Sequence, residues 1–153
     1  MAEQSVTVSG TIPAPPERVW QVLTDLDRAP ETIPSISAVE RLTAGPYDVG
    51  TRWRETRTMM GRTETHELEV TESVPPRRTV VTTRTGGTVY TSTMRLSPEG
   101  EGTRLELAFG GEQPDASLPQ RVAMRLLGPI GAAMTRRMLQ KEMQEIRVAA
   151  VRG

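Results

Sequence analysis

Alternation opens the chain. In "QSVTVSGTI", Val6, Val8 and Ile12 fall on one side and Ser5, Thr7, Ser9 and Thr11 on the other. That period of two predicts a half-buried strand. Pro13 ends it. Pro15 and Pro16 suit the first turn of a helix, where a missing N–H costs nothing. Val19, Trp20, Val22, Leu23 and Leu26 then recur at helical spacing. Asp27 is placed to cap a second short helix, which Pro30 begins and Pro34 closes. Six strand-like runs follow, at about 36–44, 50–59, 62–74, 77–85, 88–97 and 102–110. "AGPYDVG", "MMG", "VPPRR", "TGG" and "SPEGEG" separate them, and such short links imply antiparallel neighbours. From Leu118 to about Ala150 the pattern turns helical. Gly128-Pro129 is expected to break or kink this helix. The order is strand, two short helices, six strands and one long helix. No linker or repeat divides it, so residues 1–153 read as a single domain.

The stretch "TRWRETRTMMGRTETHELEV" fixes a register when its turn centres on Met60-Gly61. One face then pairs Trp53 with Leu68, Glu55 with His66, and Arg57 with Glu64. The other pairs Arg52 with Glu69, Arg54 with Glu67, and Thr56 with Thr65. Opposite charges across a ladder favour a register by a few tenths of a kcal/mol each. A one-residue slip would set Trp53 against Glu67 and turn every side chain over. Trp53, Leu68 and Val70 mark the inner face, so Glu55, Arg57, Glu64 and His66 are predicted to point inward with them. Charges there need partners, water or ligand. The same parity puts Tyr90, Ser92 and Met94 on the inner side with Leu107 and Phe109. It sets Met94 against Leu107 and Arg95 against Glu106. A tight Gly86-Gly87 turn sets Thr83 against Tyr90 and Val81 against Ser92. The expected lumen mixes aliphatics with hydroxyls and one phenol, which suits an amphipathic small molecule.

Composition narrows the chemistry. Nineteen basic and nineteen acidic residues cancel, which argues against nucleic acid as a partner. With no cysteine and one histidine, thiolate chemistry and a zinc site of several imidazoles are excluded. No metal and no cofactor are expected. No stretch approaches the roughly 20 apolar residues of a spanning helix. "MAEQSVTVSG" lacks the basic start and apolar run of a secretion signal. No integral membrane association is expected, and the expected location is the cytoplasm. "GPYDVG" and "TGG" read as turns; neither opens a helix as a phosphate-binding loop does.

The element order, with "APPERVWQVLTD" after the first strand and "VGTRWRE" in the third, resembles the START-like, or SRPBCC, superfamily. It looks most like bacterial members of the polyketide cyclase/dehydrase and lipid transport type. The resemblance implies an α+β helix-grip fold. In it a seven-stranded curved antiparallel sheet wraps a long C-terminal helix, with two short helices after strand 1. It further implies an apolar ligand, lipid or polyketide-like, held between sheet and helix.

Three functions follow. The first is binding of a hydrophobic or amphipathic molecule without transforming it. Its expected walls include Trp53, Met59, Glu64, Leu68, Val81 and Thr83 on the strands. Ser92, Met94, Leu107 and Phe109 continue them, and Leu127, Ile130, Met134 and Met138 face them from the helix. The second is a polyketide cyclase or dehydratase. There Arg57 and Tyr90 would polarise a carbonyl while His66, oriented by Glu55, moves protons. The third is a chaperone-like or toxin–antitoxin interaction module. Monomer and homodimer both stay open.

Overall fold

A computed structural model describes residues 4–59, 61–112 and 118–152, with the side chains of Gln4, Met59 and 118–130 left undescribed. Strand β1 (Gln4–Ile12) leads into helix α1 (Pro16–Thr24). A 3-10 turn (Leu26–Arg28) and the short helix α2 (Ala29–Thr32) come next. Strands β2 (Ile36–Arg41), β3 (Arg52–Met59), β4 (Arg62–Val74), β5 (Arg78–Thr85), β6 (Thr88–Glu99) and β7 (Gly102–Glu112) follow. Helix α3 (Leu118–Arg152) ends the chain. Seven strands form one antiparallel sheet in the order β1-β7-β6-β5-β4-β3-β2.

Every cross-strand pair expected from parity in the β3–β4 hairpin is present. Trp53 opposes Leu68, Glu55 opposes His66, and Arg57 opposes Glu64. Across β5–β6 and β6–β7, Val81 meets Ser92, Thr83 meets Tyr90, Met94 meets Leu107 and Arg95 meets Glu106. The outer face of β3–β4 is tied by hydroxyls and charges. Thr56 and Thr65 lie 2.8 Å apart, and Arg52 reaches Glu67 at 3.4 Å.

Two local expectations fail. Asp27 caps nothing; it lies in the 3-10 turn and pairs with Arg41 at 3.5 Å. The residue before α2 is Arg28, which offers no side-chain cap. Helix α3 is also continuous through Gly128-Pro129, so the break expected there is absent. A single proline removes one backbone bond from a helix, which a 35-residue helix packed on a sheet can absorb.

The buried stripe of α3 is Leu139, Met143, Ile146, Ala149 and Ala150, spaced as one helical face. It packs with Val6, Val8, Ile12, Val19, Leu105 and Leu107 into the larger core cluster. Helix α1 closes the far end. The Arg18 guanidinium donates from Nε and Nη2 to the Ala150 and Ala149 carbonyls at 3.3 and 3.2 Å, satisfying acceptors that a helix end leaves unpaired. Gly102 permits a tight crossing: a Cβ there would stand 2.5 Å from the Ile12 carbonyl oxygen.

Met134 is 49% exposed, so the expectation that it lines the grip is overturned. It lies about 140° around the helix from Leu139, at 100° per residue. Ile146→Ala should lower unfolding stability by about 2–5 kcal/mol, whereas Met134→Ala should stay within about 0.5 kcal/mol; urea unfolding of both variants checks this.

Candidate functional site

Between the concave sheet, the short helices and α3 lies a cavity of about 100 Å3. Its apolar wall includes Val22, Leu26, Ile33, Leu68, Val81, Met94, Leu107 and Ile146, and Trp53 and Tyr47 close one side. Ser92 and Thr93 contribute hydroxyls. Glu55, Arg57 and Glu142 contribute charge.

Strand pleating builds the polar end. Trp53, Glu55 and Arg57 alternate along β3 and so share its inner face. The Glu55 carboxylate is answered on both oxygens from its own strand. Trp53 Nε1 donates to Oε1 at 3.2 Å, and Arg57 Nε donates to Oε2 at 2.6 Å. Arg57 Nη2 crosses to α3 and donates to Glu142 Oε1 at 3.2 Å. Burial works against the Arg57 charge, but attraction to Glu142 and Glu55 outweighs it and holds the guanidinium pKa above its ordinary value. The cation therefore bolts the sheet to the long helix. A second polar contact lies nearby, where the Ser35 hydroxyl donates to Glu145 Oε2 at 2.8 Å.

Tyr47 supports the other side. Its ring packs edge-on to Trp20 at 6.3 Å between centroids and tilts against Trp53 at 6.2 Å. Its hydroxyl lies 2.6 Å from the buried Thr79 hydroxyl. Desolvation raises the Tyr47 pKa from its ordinary 10.0, and the Thr79 hydrogen bond offsets this in part.

Of the expected site residues, Trp53, Glu55, Arg57, Leu68, Val81, Ser92, Met94 and Leu107 meet at the cavity. Others do not. Glu55 does not hold His66. The imidazole instead lies 3.2 Å from Glu64 through Nε2 and 3.2 Å from the Thr85 hydroxyl through Nδ1. Glu64 does not hold Arg57 and is largely exposed. Tyr90 stacks on Phe109 at 5.5 Å, and neither ring lines the cavity. Thr83 donates to the Glu67 carbonyl at 2.5 Å, and Met138 is half-buried outside the wall. The Met59, Leu127 and Ile130 side chains lie outside the described residues.

Two participants escaped the sequence reading. Tyr47 sits in "GPYDVG", where glycines advertise only a turn. Glu142 stands among Arg136, Arg137, Lys141, Glu145 and Arg147, a run of charges that by itself argues for a solvated helix face. A signal did exist, since Glu142 lies within about 40–60° of Leu139 and Ile146 on the buried stripe.

A family model described as "Polyketide cyclase / dehydrase and lipid transport" matches residues 3–150. The chain belongs to this family. No curated protein matches it. The fold of this polyketide cyclase/dehydrase and lipid transport family member is also that of solved structures. The Zhui aromatase/cyclase from a Streptomyces species is 19% identical over 98% of this chain and 94% of its own, with a TM-score of 0.76. A protein of Thermus thermophilus is 23% identical over 96% of this chain and 97% of its own, at 0.75. A START superfamily protein from Mycobacterium smegmatis is 13% identical over 97% of both chains, at 0.75. At such identities the likeness speaks for the helix-grip fold alone. Among the described residues, no cluster of His, Cys, Asp or Glu could hold a metal ion, and no helix is long and apolar enough to cross a membrane.

Arg57→Met keeps the apolar stem but strands two carboxylates. Breaking a buried pair costs about 3–5 kcal/mol; with the Arg57 side chain 24% exposed, we expect about 2–4 kcal/mol in urea unfolding. Tyr47 gives a pH test. Its raised folded-state pKa means the unfolded chain ionises first, so stability should fall as pH climbs past about 10. Tyr47→Phe should flatten that alkaline slope relative to wild type.

Proposed function

We propose that this protein binds a hydrophobic or amphipathic small molecule, lipid-like or polyketide-like, in the cavity between sheet and α3. The observation that carries the reading is the cavity wall itself: aliphatic and aromatic side chains with one charged cluster at a single end. That is the composition by which a mostly apolar ligand is held and oriented. The family to which the chain belongs supports the same class of ligand.

Size adds a condition. The cavity of about 100 Å3 is smaller than the roughly 300–1,000 Å3 of pockets that enclose drug-sized ligands. A lipid or polyketide must therefore widen it. On the helical side the cavity is shut by the Arg57–Glu142 and Ser35–Glu145 contacts, and parting them is the widening the proposal requires. Arg57 has further N–H groups beyond those used on Glu55 and Glu142, and these suit a ligand carbonyl or phenolate.

Arg57 also favours a second reading, a cyclase or dehydratase in which the guanidinium polarises a carbonyl. Against it stands the position of His66, whose partners Glu64 and Thr85 lie away from the cavity wall. That leaves the reaction without its proton carrier, so binding is the stronger reading.

Native mass spectrometry against fatty acids, sterols and aromatic polyketides tests the proposal. At least one class should bind in a one-to-one complex. Ser92→Phe, which fills the space, should abolish that complex while the protein stays folded by circular dichroism. Failure of every apolar probe on wild type, or undiminished binding to Ser92→Phe, would overturn it.

A further inference from the structure

On the opposite face of the sheet, four arginines share one shallow groove. Arg77, Arg78, Arg95 and Arg104 line about 330 Å3 near the β4–β5 turn. Arg78 and Arg95 alternate with Thr79 and Met94. Met94 faces the cavity, so these arginines face outward. Two features are unusual for a chain whose formal charges cancel.

The first is that Arg78 stands directly opposite Arg95 across the β5–β6 ladder. Like charges in that position destabilise a sheet. Elsewhere the outer face avoids this: Arg95 opposes Glu106, and Arg54 opposes Glu67.

The second is that the acids nearby answer these cations only loosely. Among the described residues, Glu106 is the one acid lining the groove, and it stands 3.9 Å from Arg95. Glu72 Oε1 is 3.4 Å from Arg78 Nε, yet the alignment is not that of a hydrogen bond, and this buried Nε has no hydrogen-bond partner among the described residues. Arg104 donates from Nη2 to the Ser9 hydroxyl at 3.1 Å. A buried N–H without an acceptor costs free energy.

We propose that this groove binds the phosphoryl group of a soluble small molecule. Guanidinium forks match phosphate oxygens geometrically and form strong charge-assisted hydrogen bonds. A dianion between Arg78 and Arg95 would turn their repulsion into attraction and accept from the exposed terminal N–H groups of both side chains. Of the exposed large apolar residues among those described, only Val74 belongs to the strand ends beside this turn, which leaves no apolar rim for insertion into a lipid surface. The site lies across the sheet from the cavity and does not depend on what the cavity holds.

Inorganic pyrophosphate is the probe, with thermal melting at ionic strength matched by sodium chloride and, separately, sodium sulfate. At about ten times its dissociation constant, a ligand of the folded state alone should raise the Tm of a domain this size by about 3–6 °C. Arg78→Gln and Arg95→Gln should lose that rise. Without pyrophosphate their melting should stay near that of wild type, because each loses a like-charge neighbour together with one loose ion pair. Arg84→Gln, exposed on the same strand outside the groove, should keep the rise. A shift no larger than sulfate gives, or one retained by both groove variants, would overturn the site. So would binding to phosphatidic acid vesicles without binding to pyrophosphate. Apolar ligand binding by the groove variants should be unchanged, so failure here is distinct from failure of the cavity reading.

Discussion

A guanidinium set inside a protein has to be answered by carboxylates, or its burial unravels the surroundings. Arg57 is answered twice, by Glu55 from its own strand and by Glu142 from the long helix. The two carboxylates belong to different layers. Their shared cation bridges β3 and α3 at one end of the cavity, while the apolar stripe of α3, packed on β1 and β7, sets the spacing between sheet and helix. Removing water from this pair is expensive. In the proposed binding function, this cluster is what would orient a ligand in a chamber walled mainly by apolar side chains.

The rest of the architecture serves that spacing. The sheet runs β1-β7-β6-β5-β4-β3-β2, so β1 and β2 are its two edges although they are the first two strands in sequence. The chain must travel between those edges, and α1 and α2 make the journey. They close the chamber on the way: Val22, Leu26 and Ile33 line it, and Arg18 holds the last turns of α3. The strands are held by backbone ladders, with irregularities in β2–β3 and β4–β5, whereas α3 meets β3 and the α2–β2 connection through side-chain contacts.

Register was legible because two independent patterns agreed. In the β3–β4 hairpin both alternation and charge matching selected one pairing, and a slip would have broken both. Side-chain partners were not legible from that register. Glu55 and His66 are opposite each other in the ladder, yet Glu55 turns along its own strand to Trp53 and Arg57. Opposition of backbones leaves rotamers free, and the Arg57 guanidinium on the same strand outcompetes the imidazole across the ladder. Helix phase failed at Met134 for a different reason. Apolar residues occupy too many positions on α3 for one stripe to stand out, and an error of one residue turns a side chain by about 100°. Glu142 shows the converse. Its charge argued for solvent, while its position on the stripe argued for burial; position prevailed because Arg57 was waiting there. Tyr47 needed a long-range fact, the approach of Thr79 and two tryptophans from other elements, which no local pattern encodes.

The coupling between Arg57 and Glu142 tests the central claim most directly. In a double-mutant cycle of Arg57→Met and Glu142→Gln, followed by urea unfolding, the two changes should be non-additive by about 1–3 kcal/mol, as for residues in one ion-pair network. Effects that sum to within about 0.5 kcal/mol would mean that sheet and helix are not joined through this cation, and would contradict the account of the cavity built on it.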